Sequence, residues 1–419
     1  MTKSVIPSIF LLAAVAASRP AHAASAEDEA FLEDINAVTA RVFDAMNNAP
    51  GVLARIQVLE RLMPEYIGNS SVRNFLLQML GTEYSFAGQH MKALQAFDEQ
   101  SSFGPLLVDE VTALRAHDAV DAILTHSATR QILMINEAHH VAQHRVLTYR
   151  LLEGLWAQGY RYFAAEAFGK DAEVQLEADG YATESTGYYI HEPLFTNLVL
   201  YAKALGFTLV SYDYEPSRGT EERETNAARI IEDKIFARDP QARVIIHVGY
   251  SHIDEQSWLA HKLTQNLGID PLTVNHTDLA EKSNADDEPQ SYTWLMENVA
   301  LDAPGVLLDS AGQPWSLKPE VYDFNVIWPR TRYENGRPTW AALNRTARPV
   351  DRNWCRSRFP CTVEVLHHGE AAELPTDRIV LDEAAASVSI FLSPGTNIIT
   401  ATNAAGERLH TEQVDVPTR

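Results

Sequence analysis

Between residues 118 and about 345, the chain alternates short apolar, β-branched runs with stretches of helical spacing, and no other feature constrains the fold as strongly. Four such runs are clear, at 131–135, 160–165, 207–212 and 243–248, and shorter ones follow at 272–274 and 324–328. This alternation predicts βα units, and so an α/β domain with a central, mainly parallel sheet and flanking helices. Ligands of such sheets bind at the carboxyl ends of the strands, so the polar residues placed there become the candidates for function.

The region before this domain, residues 24–117, has apolar residues at helical spacing, which predicts an all-α structure. Its segment AGQHMKALQAF is similar to the second helix of a tetratricopeptide-type unit, although no clean repeat accompanies it. We interpret the region either as tetratricopeptide-like helices that contact a protein partner or as a plain helical cap.

The region after the domain, residues 346–419, alternates as short strands separated by turn residues, which predicts a small β-sandwich. Cys355 and Cys361 are the two cysteines of the chain and lie near the start of this region. We predict that they form a disulfide, because reactive redox pairs are usually closer together at a helix N-terminus.

The first 23 residues have the pattern of a secretory signal peptide. Lys3 precedes an apolar stretch over 5–17, and Ala-His-Ala at 21–23 forms a small-residue cleavage site. The apolar stretch is shorter than the roughly 20 residues of a membrane span. The sequence therefore predicts a periplasmic or secreted protein that is cleaved after Ala23 and has no membrane anchor.

The charge balance excludes nucleic acid as a partner. The chain of 419 residues carries 34 Lys and Arg against 56 Asp and Glu, a net charge of −22, and removal of Lys3 and Arg19 with the signal makes it −24. A surface of this sign repels phosphate backbones. A small-molecule or peptide substrate is the expected ligand.

The first predicted strand ends in a cluster of ionisable residues, within the segment INEAHHVAQH. Glu137 and His139 are two residues apart and would face the same side if the strand continued through them. His140 and His144 would share a helix face just beyond. We therefore predict a functional site at this strand end rather than a solvated turn.

Carboxylates and an arginine follow the next two strands. Glu166 comes directly after the apolar run at 160–165. A carboxylate there is costly to bury unless it is paired or holds a metal, which favours a functional role. The alternative is that Glu166 is the N-cap of the next helix. Asp213 follows the third run, and Arg223 lies in the first turn of a predicted helix. Because a cation at a helix N-terminus opposes the dipole, Arg223 is expected to meet an acidic group or a substrate oxyanion. Glu224 beside it is a weaker candidate, with helix capping as the alternative.

The fourth strand places two histidines near the same edge. His247 lies inside an apolar run and needs a partner, or is a satisfied core histidine. Gly249 permits a close backbone approach or a sharp turn that aims His252 into the cleft.

These motifs, taken in order, resemble the erythromycin esterase/ChaN-like superfamily, which is related to Tiki/GumN-type proteins. The resemblance covers about residues 128–268 and is carried by NEAHHVAQH, Glu166, the Arg223-Glu224 helix start and the GYSH motif that ends in His252. Asn136 stands where the superfamily commonly has glycine. The resemblance implies that five residues share one cleft: Glu137, His139, Glu166, Arg223 and His252. His144 matches the second histidine of the ChaN-like form.

Three classes of function follow. The leading hypothesis is an exported hydrolase of an ester, lactone or amide, in which His139 or His252 activates water, Glu137 and Glu166 orient the imidazoles, and Arg223 stabilises the oxyanion. Residues expected to bind substrate or ligand are His140, Asp213 and His247. The alternatives are a haem- or iron-binding periplasmic protein of ChaN-like type and a non-catalytic, partner-binding protein.

If the hydrolase depends on a metal, the expected ligands are His139, His144, Glu166 and His252. This mixture of imidazole nitrogens and carboxylate oxygens suits zinc, manganese or iron better than magnesium, and it also suits a mechanism without metal. Haem is the alternative cofactor that the resemblance implies.

Overall fold

The computed structural model describes residues 26–100, 113–383 and 387–417, except for the side chains of 26–35, so the predicted signal segment lies outside the described residues. The chain divides into two compact units. The terminal unit has the bounds Met1–Ser101, Arg345–Ala371 and Pro375–Arg419, and the central unit has the bounds Ser102–Asn344 and Ala372–Leu374. No helix in the described ranges is long and apolar enough to cross a membrane.

The N-terminal part of the terminal unit is helical, as predicted. Its α-helices are α1 (Ala26–Asn47), α2 (Val52–Leu62), α3 (Ser70–Phe86) and α4 (His90–Asp98). The α3–α4 pair forms a helical hairpin around Gly88, whose φ of 71° suits a residue without a side chain. Asn69 caps α3 by accepting a hydrogen bond from the Val72 backbone N–H.

The central unit alternates strands and helices. Its strands are β1 (Arg115–Asp118), β2 (Ile132–Glu137), β3 (Tyr162–Ala165), β4 (Thr208–Ser211), β5 (Val244–Gly249), β6 (Leu272–Asn275), β7 (Gly305–Leu308), β8 (Phe324–Asn325), β9 (Tyr333–Glu334) and β10 (Arg337–Pro338). Its α-helices are α5 (Ala119–Ser127), α6 (Gln143–Ala157), α7 (Ala172–Asp179), α8 (Pro193–Leu205), α9 (Thr220–Ile231), α10 (Leu259–Leu267) and α11 (Gln290–Asn298).

Six of these strands form one parallel sheet in the order β4-β3-β5-β2-β6-β8. The inner strands β2 and β5 are buried along their whole length, as expected for a parallel sheet with helices on both faces. Glu137 pairs in register with Gly249, so β2 and β5 end at the same level. The fold class predicted from the sequence is confirmed, and the candidate residues that follow β2, β3, β4 and β5 all belong to one edge of the sheet.

The C-terminal part of the terminal unit is antiparallel β structure. Its strands are β11 (Thr346–Pro349), β12 (Cys361–Leu366), β13 (Asp377–Leu381), β14 (Ser389–Leu392), β15 (Gly395–Asn403) and β16 (Arg408–Val416). Four of them form a sheet in the order β13-β12-β15-β16, and β11 pairs with β14. Both sheets contribute to one apolar cluster, which also contains the predicted Cys355–Cys361 disulfide. The disulfide prediction is confirmed.

The helices and the C-terminal strands of the terminal unit pack together, which the sequence does not predict. Arg378 of β13 donates to the Phe86 carbonyl at 2.7 Å, and the Gly88 Cα approaches the Arg378 carbonyl so closely that a Cβ there would lie 2.5 Å from its oxygen. Regions far apart in sequence thus share one compact unit.

Candidate functional site

Glu137, the last residue of β2, is the centre of a buried hydrogen-bond network. Its Oε1 accepts from His139 Nδ1 at 2.9 Å, and its Oε2 lies 2.9 Å from His247 Nε2. Arg145 donates to both oxygens, at 2.8 Å each. Burial alone would raise the pKa of Glu137, but Arg145 and the two histidines outweigh it and hold the pKa well below its usual range.

Arg145 is fully buried on α6 and connects two carboxylates. Besides Glu137, it donates to Glu192 Oε2 at 3.1 Å and to the His139 carbonyl at 3.0 Å. Its guanidinium also lies 4.9 Å from the ring centroid of Phe195. A buried cation is costly without partners, so the guanidinium is held to these acceptors. Its hydrogen bonds in turn fix the position of Glu137 and of the start of the loop that carries His139.

The geometry of His139 leaves one ring nitrogen directed away from Glu137. Nδ1 donates to the Glu137 carboxylate, and in the neutral imidazole this arrangement leaves the lone pair on Nε2. The side chain is 14% exposed. Tyr189 stacks on the imidazole with centroids 3.8 Å apart, and Tyr250 meets it edge-on at 5.4 Å. An oriented imidazole with a free acceptor nitrogen is the arrangement of a general base.

Glu166, the first residue after β3, forms a second buried network beside the first. The Gly249 backbone N–H donates to its Oε2, and Arg223 donates to its Oε1 at 2.6 Å. Arg223 also holds Asp213, with Nε 3.1 Å from both carboxylate oxygens. Burial opposes ionisation of Glu166, but His252 and Arg223 outweigh it and keep its pKa well below the usual range.

His252 lies between two carboxylates. Its Nδ1 is 2.8 Å from Glu224 Oε2, and its Nε2 is 3.6 Å from Glu166 Oε1, which is longer than a hydrogen bond. Burial opposes the charged form, yet Glu166 and Glu224 outweigh it and raise the pKa of His252 from 6.5 to about 10. The ring is therefore an imidazolium at neutral pH.

Gly249 brings the two networks together. A Cβ at this position would lie 2.5 Å from His139 Nε2 and 3.0 Å from Glu166 Oε2, so both groups meet over the same glycine. Its φ is −90°, so the glycine is required for space and not for a special turn. Of the two roles that the sequence suggests for Gly249, the close approach is the one observed.

We expect Gly249→Ala to lower turnover of any substrate by about 100-fold, because displacing a catalytic group by about 1 Å has an effect of this size. His139 cannot yield easily, since Glu137 and Tyr189 hold it on two sides. The matched control is Gly68→Ala, where a Cβ would have no atom within 4 Å. Steady-state kinetics of both variants test this, and equal turnover in the two would contradict the close packing.

The structure places the other predicted site residues as follows. His140 is buried, with Nδ1 3.5 Å from the Tyr250 hydroxyl. Asp213 pairs with Arg223 rather than lining an open surface. His247 is 1% exposed and lies between Glu137 and Thr148, behind the cleft, so a direct contact with ligand does not follow from its position.

The four predicted metal ligands are not brought together. His144 Nδ1 accepts from the Ala138 backbone N–H at 3.0 Å, and its ring lies beside His276 and away from the networks around Glu166. Within the described ranges, no group of three or more His, Cys, Asp or Glu is arranged to hold a metal ion. His144 therefore does not join the predicted set, because its ring is turned into the interior, whereas His139 and Glu166 meet over Gly249.

For the haem alternative, His139 is a predicted site residue with a partly exposed side chain. A haem iron needs an axial ligand, which a histidine nitrogen can supply. His139 Nε2 offers a ligand atom, but its neighbours over Gly249 are the ion-paired groups of Glu166, Arg223 and His252.

Two buried residues of the networks, Arg145 and Glu192, are not predicted from the sequence, and Glu224, the weaker candidate there, is a direct partner of His252. Arg145 carries the clearest signal, because it falls on the helix face shared by Thr148 and Leu152, three and seven residues on, which is otherwise directed at the core. A charge on such a face predicts a buried partner.

The chain matches no protein-family model and no curated protein. Solved structures with a similar fold include the type III effector HopBA1 (11% identity, 42% of this chain and 91% of that chain, TM-score 0.29). RRSP, a MARTX toxin effector domain from Vibrio vulnificus CMCP6, has 18% identity over 51% of this chain and 46% of its own, with a TM-score of 0.29. ChaN of Campylobacter jejuni, described with cofacial haem binding, has 10% identity over 53% of this chain and 99% of its own, with a TM-score of 0.29.

These similarities span about half of this chain and concern the fold alone. The chain also spans about half the length of RRSP and of another bacterial protein toxin, for which 47% is covered. ChaN is one of the proteins that the sequence motifs resemble. TM-scores of this size carry no argument about activity.

Proposed function

We propose that the central unit is a hydrolase of an ester, lactone or amide. Two imidazoles carry out the reaction, that of His139 as a neutral base and that of His252 as a positively charged hydrogen-bond donor. The observation that carries this proposal is the Glu137–His139 hydrogen bond, which leaves Nε2 as an acceptor beside Glu166 and His252. The N-terminal signal pattern and the disulfide support export to the periplasm or the medium.

His139 acts as the general base. Its Nε2 takes a proton from water as the water oxygen attacks the carbonyl carbon, and the resulting imidazolium is stabilised by ionised Glu137. Arg145 keeps Glu137 ionised and in place. The proton then passes from Nε2 to the departing alcohol or amine, so the imidazole is restored at the end of the cycle.

His252 supplies the positive charge on the other side of the cleft. Its Nε2–H makes only a long ion-pair contact of 3.6 Å with Glu166 Oε1, and we assign to it a second contact, with the carbonyl oxygen as negative charge develops there. Arg223 has its hydrogen bonds directed at Asp213 and Glu166. We therefore assign Arg223 to positioning Glu166, in place of the direct oxyanion contact expected from the sequence.

The proposal is tested with mature protein, beginning at Ala24, and a panel of 4-nitrophenyl esters, a thiolactone and a peptide 4-nitroanilide. Turnover of at least one substrate class above the spontaneous rate is the expected result. A folded protein that turns over no substrate of any class contradicts the proposed chemistry.

The activity depends on pH through His252. Because charged His252 is required, kcat/KM is expected to fall at high pH with an apparent pKa of about 10. The free energy of unfolding depends on the same group, because the pKa of His252 is higher in the folded than in the unfolded protein. The contribution of His252 to this free energy is complete below about pH 6.5 and is lost as the pH rises through about 10. Rate profiles and thermal unfolding between pH 6 and 10.5 measure both effects.

The matched variant is His252→Gln, which keeps a hydrogen-bond donor but not the charge. It is expected to lower kcat by about 100-fold, the usual effect of weakening an oxyanion contact, and to remove the alkaline limb. Full turnover of this variant, or an unchanged alkaline limb, would remove His252 from the mechanism.

A further inference from the structure

Tyr250, the residue after Gly249, has a backbone conformation that a bulky residue rarely adopts. Its φ is 37°, in the left-handed region, where non-glycine residues are uncommon and strained. Its side chain is 40% exposed, so burial of the ring does not compensate for the strain in the usual way. Such strain persists only where the surrounding structure enforces it.

A buried amide enforces it here. Asn136 of β2 is fully buried, and its Nδ2 donates to the Tyr250 carbonyl at 2.8 Å. Its Oδ1 accepts from the His276 backbone N–H at 2.7 Å. Asn136 thus ties the segment after β5 to the segment after β6, and holds the Tyr250 backbone in place.

The result of this arrangement is an aromatic border around the proposed base. Tyr250 meets His139 edge-on, and Tyr189 stacks on the His139 ring. Tyr188 meets Tyr189 at 5.3 Å, and both side chains are partly exposed. A carbonyl group near His139 Nε2 therefore has aromatic side chains within reach on the side of Tyr189 and Tyr250.

We propose that Tyr250 is a specificity-determining residue that binds a planar aromatic acyl group, and that Asn136 is a positioning residue for it. This inference rests on the proposed hydrolase function and names its substrate class. Aromatic rings prefer offset-stacked and edge-to-face contacts with each other, which a border of tyrosines offers and which a small aliphatic acyl group cannot make.

The test compares 4-nitrophenyl benzoate with 4-nitrophenyl acetate, because the leaving group is the same and the acyl group differs. In the wild-type protein, kcat/KM favours the benzoate after correction for the spontaneous rates. Tyr250→Ala is expected to reduce this preference about tenfold, mainly through KM, because one aromatic contact is removed. Tyr250→Phe keeps the ring and is expected to keep the preference. The control is Tyr333→Ala, which removes a similarly exposed tyrosine elsewhere in the central unit.

A second readout does not need turnover. Diethyl pyrocarbonate acylates free imidazole nitrogens, and mass spectrometry reports the rate at His139. Benzamide is expected to slow this reaction in the wild type and in Tyr333→Ala, but not in Tyr250→Ala, whereas acetamide has no effect in any of them. Asn136→Ala is expected to behave like Tyr250→Ala. If that variant does not fold, the Tyr250 variants still decide the matter.

The outcomes separate this inference from the proposed function. Protection by benzamide that depends on Tyr250, without hydrolysis of either ester, supports the aromatic site and contradicts the hydrolase. Hydrolysis with the same benzoate preference in Tyr250→Ala and the wild type, together with unchanged protection, overturns the role of Tyr250 and leaves the hydrolase in place.

Discussion

Replacing His139 by alanine is expected to lower kcat/KM by about 100- to 10,000-fold, the range that general acid–base catalysis contributes. His139 is the partly exposed member of the Glu137 network, and its free Nε2 is the atom to which we assign the proton of the attacking water. The fold should persist, because Glu137 keeps its hydrogen bonds with Arg145 and His247. Initial rates and thermal unfolding of the same preparations measure the two effects.

The matched control for this variant is His261→Ala. His261 is another partly buried histidine of the central unit, and its Nδ1 contacts the Glu255 carbonyl. Its replacement should leave kcat/KM within about twofold, as expected for a surface substitution away from the site. Equal rates in the wild type and His139→Ala would contradict the assignment of the base.

Replacing Arg145 by methionine is expected to lower the free energy of unfolding of the central unit by about 3–5 kcal/mol, the usual effect of removing one partner of a buried ion pair. The variant leaves Glu137 and Glu192 in the core without their shared cation, and it also removes the hydrogen bond to the His139 carbonyl. Turnover should fall as well, because Glu137 and the His139 loop lose their support. Urea denaturation followed by tryptophan fluorescence measures the change in stability.

The control for Arg145 is Arg332→Met. Arg332 pairs with Asp302 at 3.1 Å on the surface, with both side chains largely exposed. An exposed pair contributes about 0–1 kcal/mol, so this variant should be close to the wild type in stability. If Arg145→Met were no less stable than Arg332→Met, the buried network would not hold the site together.

The sequence correctly predicts at which edge of the sheet the candidate residues lie. Residues that follow parallel strands meet at one edge, so Glu137, Glu166, Asp213 and His252 could be grouped without any structure. The pairings within the group could not be predicted. Whether Arg223 faces a carboxylate or a substrate depends on side-chain directions that strand order does not determine.

The histidines after β2 show where prediction from spacing fails. The strand ends at Glu137, and a turn closed by the Val141 N–H and the Ala138 carbonyl follows. His139 still bonds to Glu137, but the turn directs His144 into the interior, where it accepts from the Ala138 N–H. The metal set predicted from the sequence was therefore not assembled, because the chain turns one residue after the strand.

Arg145 was missed for a different reason. Sequence patterns assign a charged residue on a helix to solvent, because charged side chains are rarely buried. Arg145 is buried because Glu137, at the end of the preceding strand, and Glu192, 47 residues further along the chain, both meet it in the fold. That partnership is a property of the tertiary structure, although the position of Arg145 on the apolar face of α6 is a usable signal.

The most direct test of the proposed acid–base cleft is the initial rate of 4-nitrophenyl ester hydrolysis by mature protein after dialysis against a chelator. A Glu137/His139/His252 triple alanine variant is treated in the same way. The proposed acid–base mechanism predicts that the wild-type protein retains its turnover after dialysis and that the folded triple variant has none above the spontaneous rate. Loss of turnover from the wild type with recovery on adding a metal, or turnover by the triple variant, would contradict it.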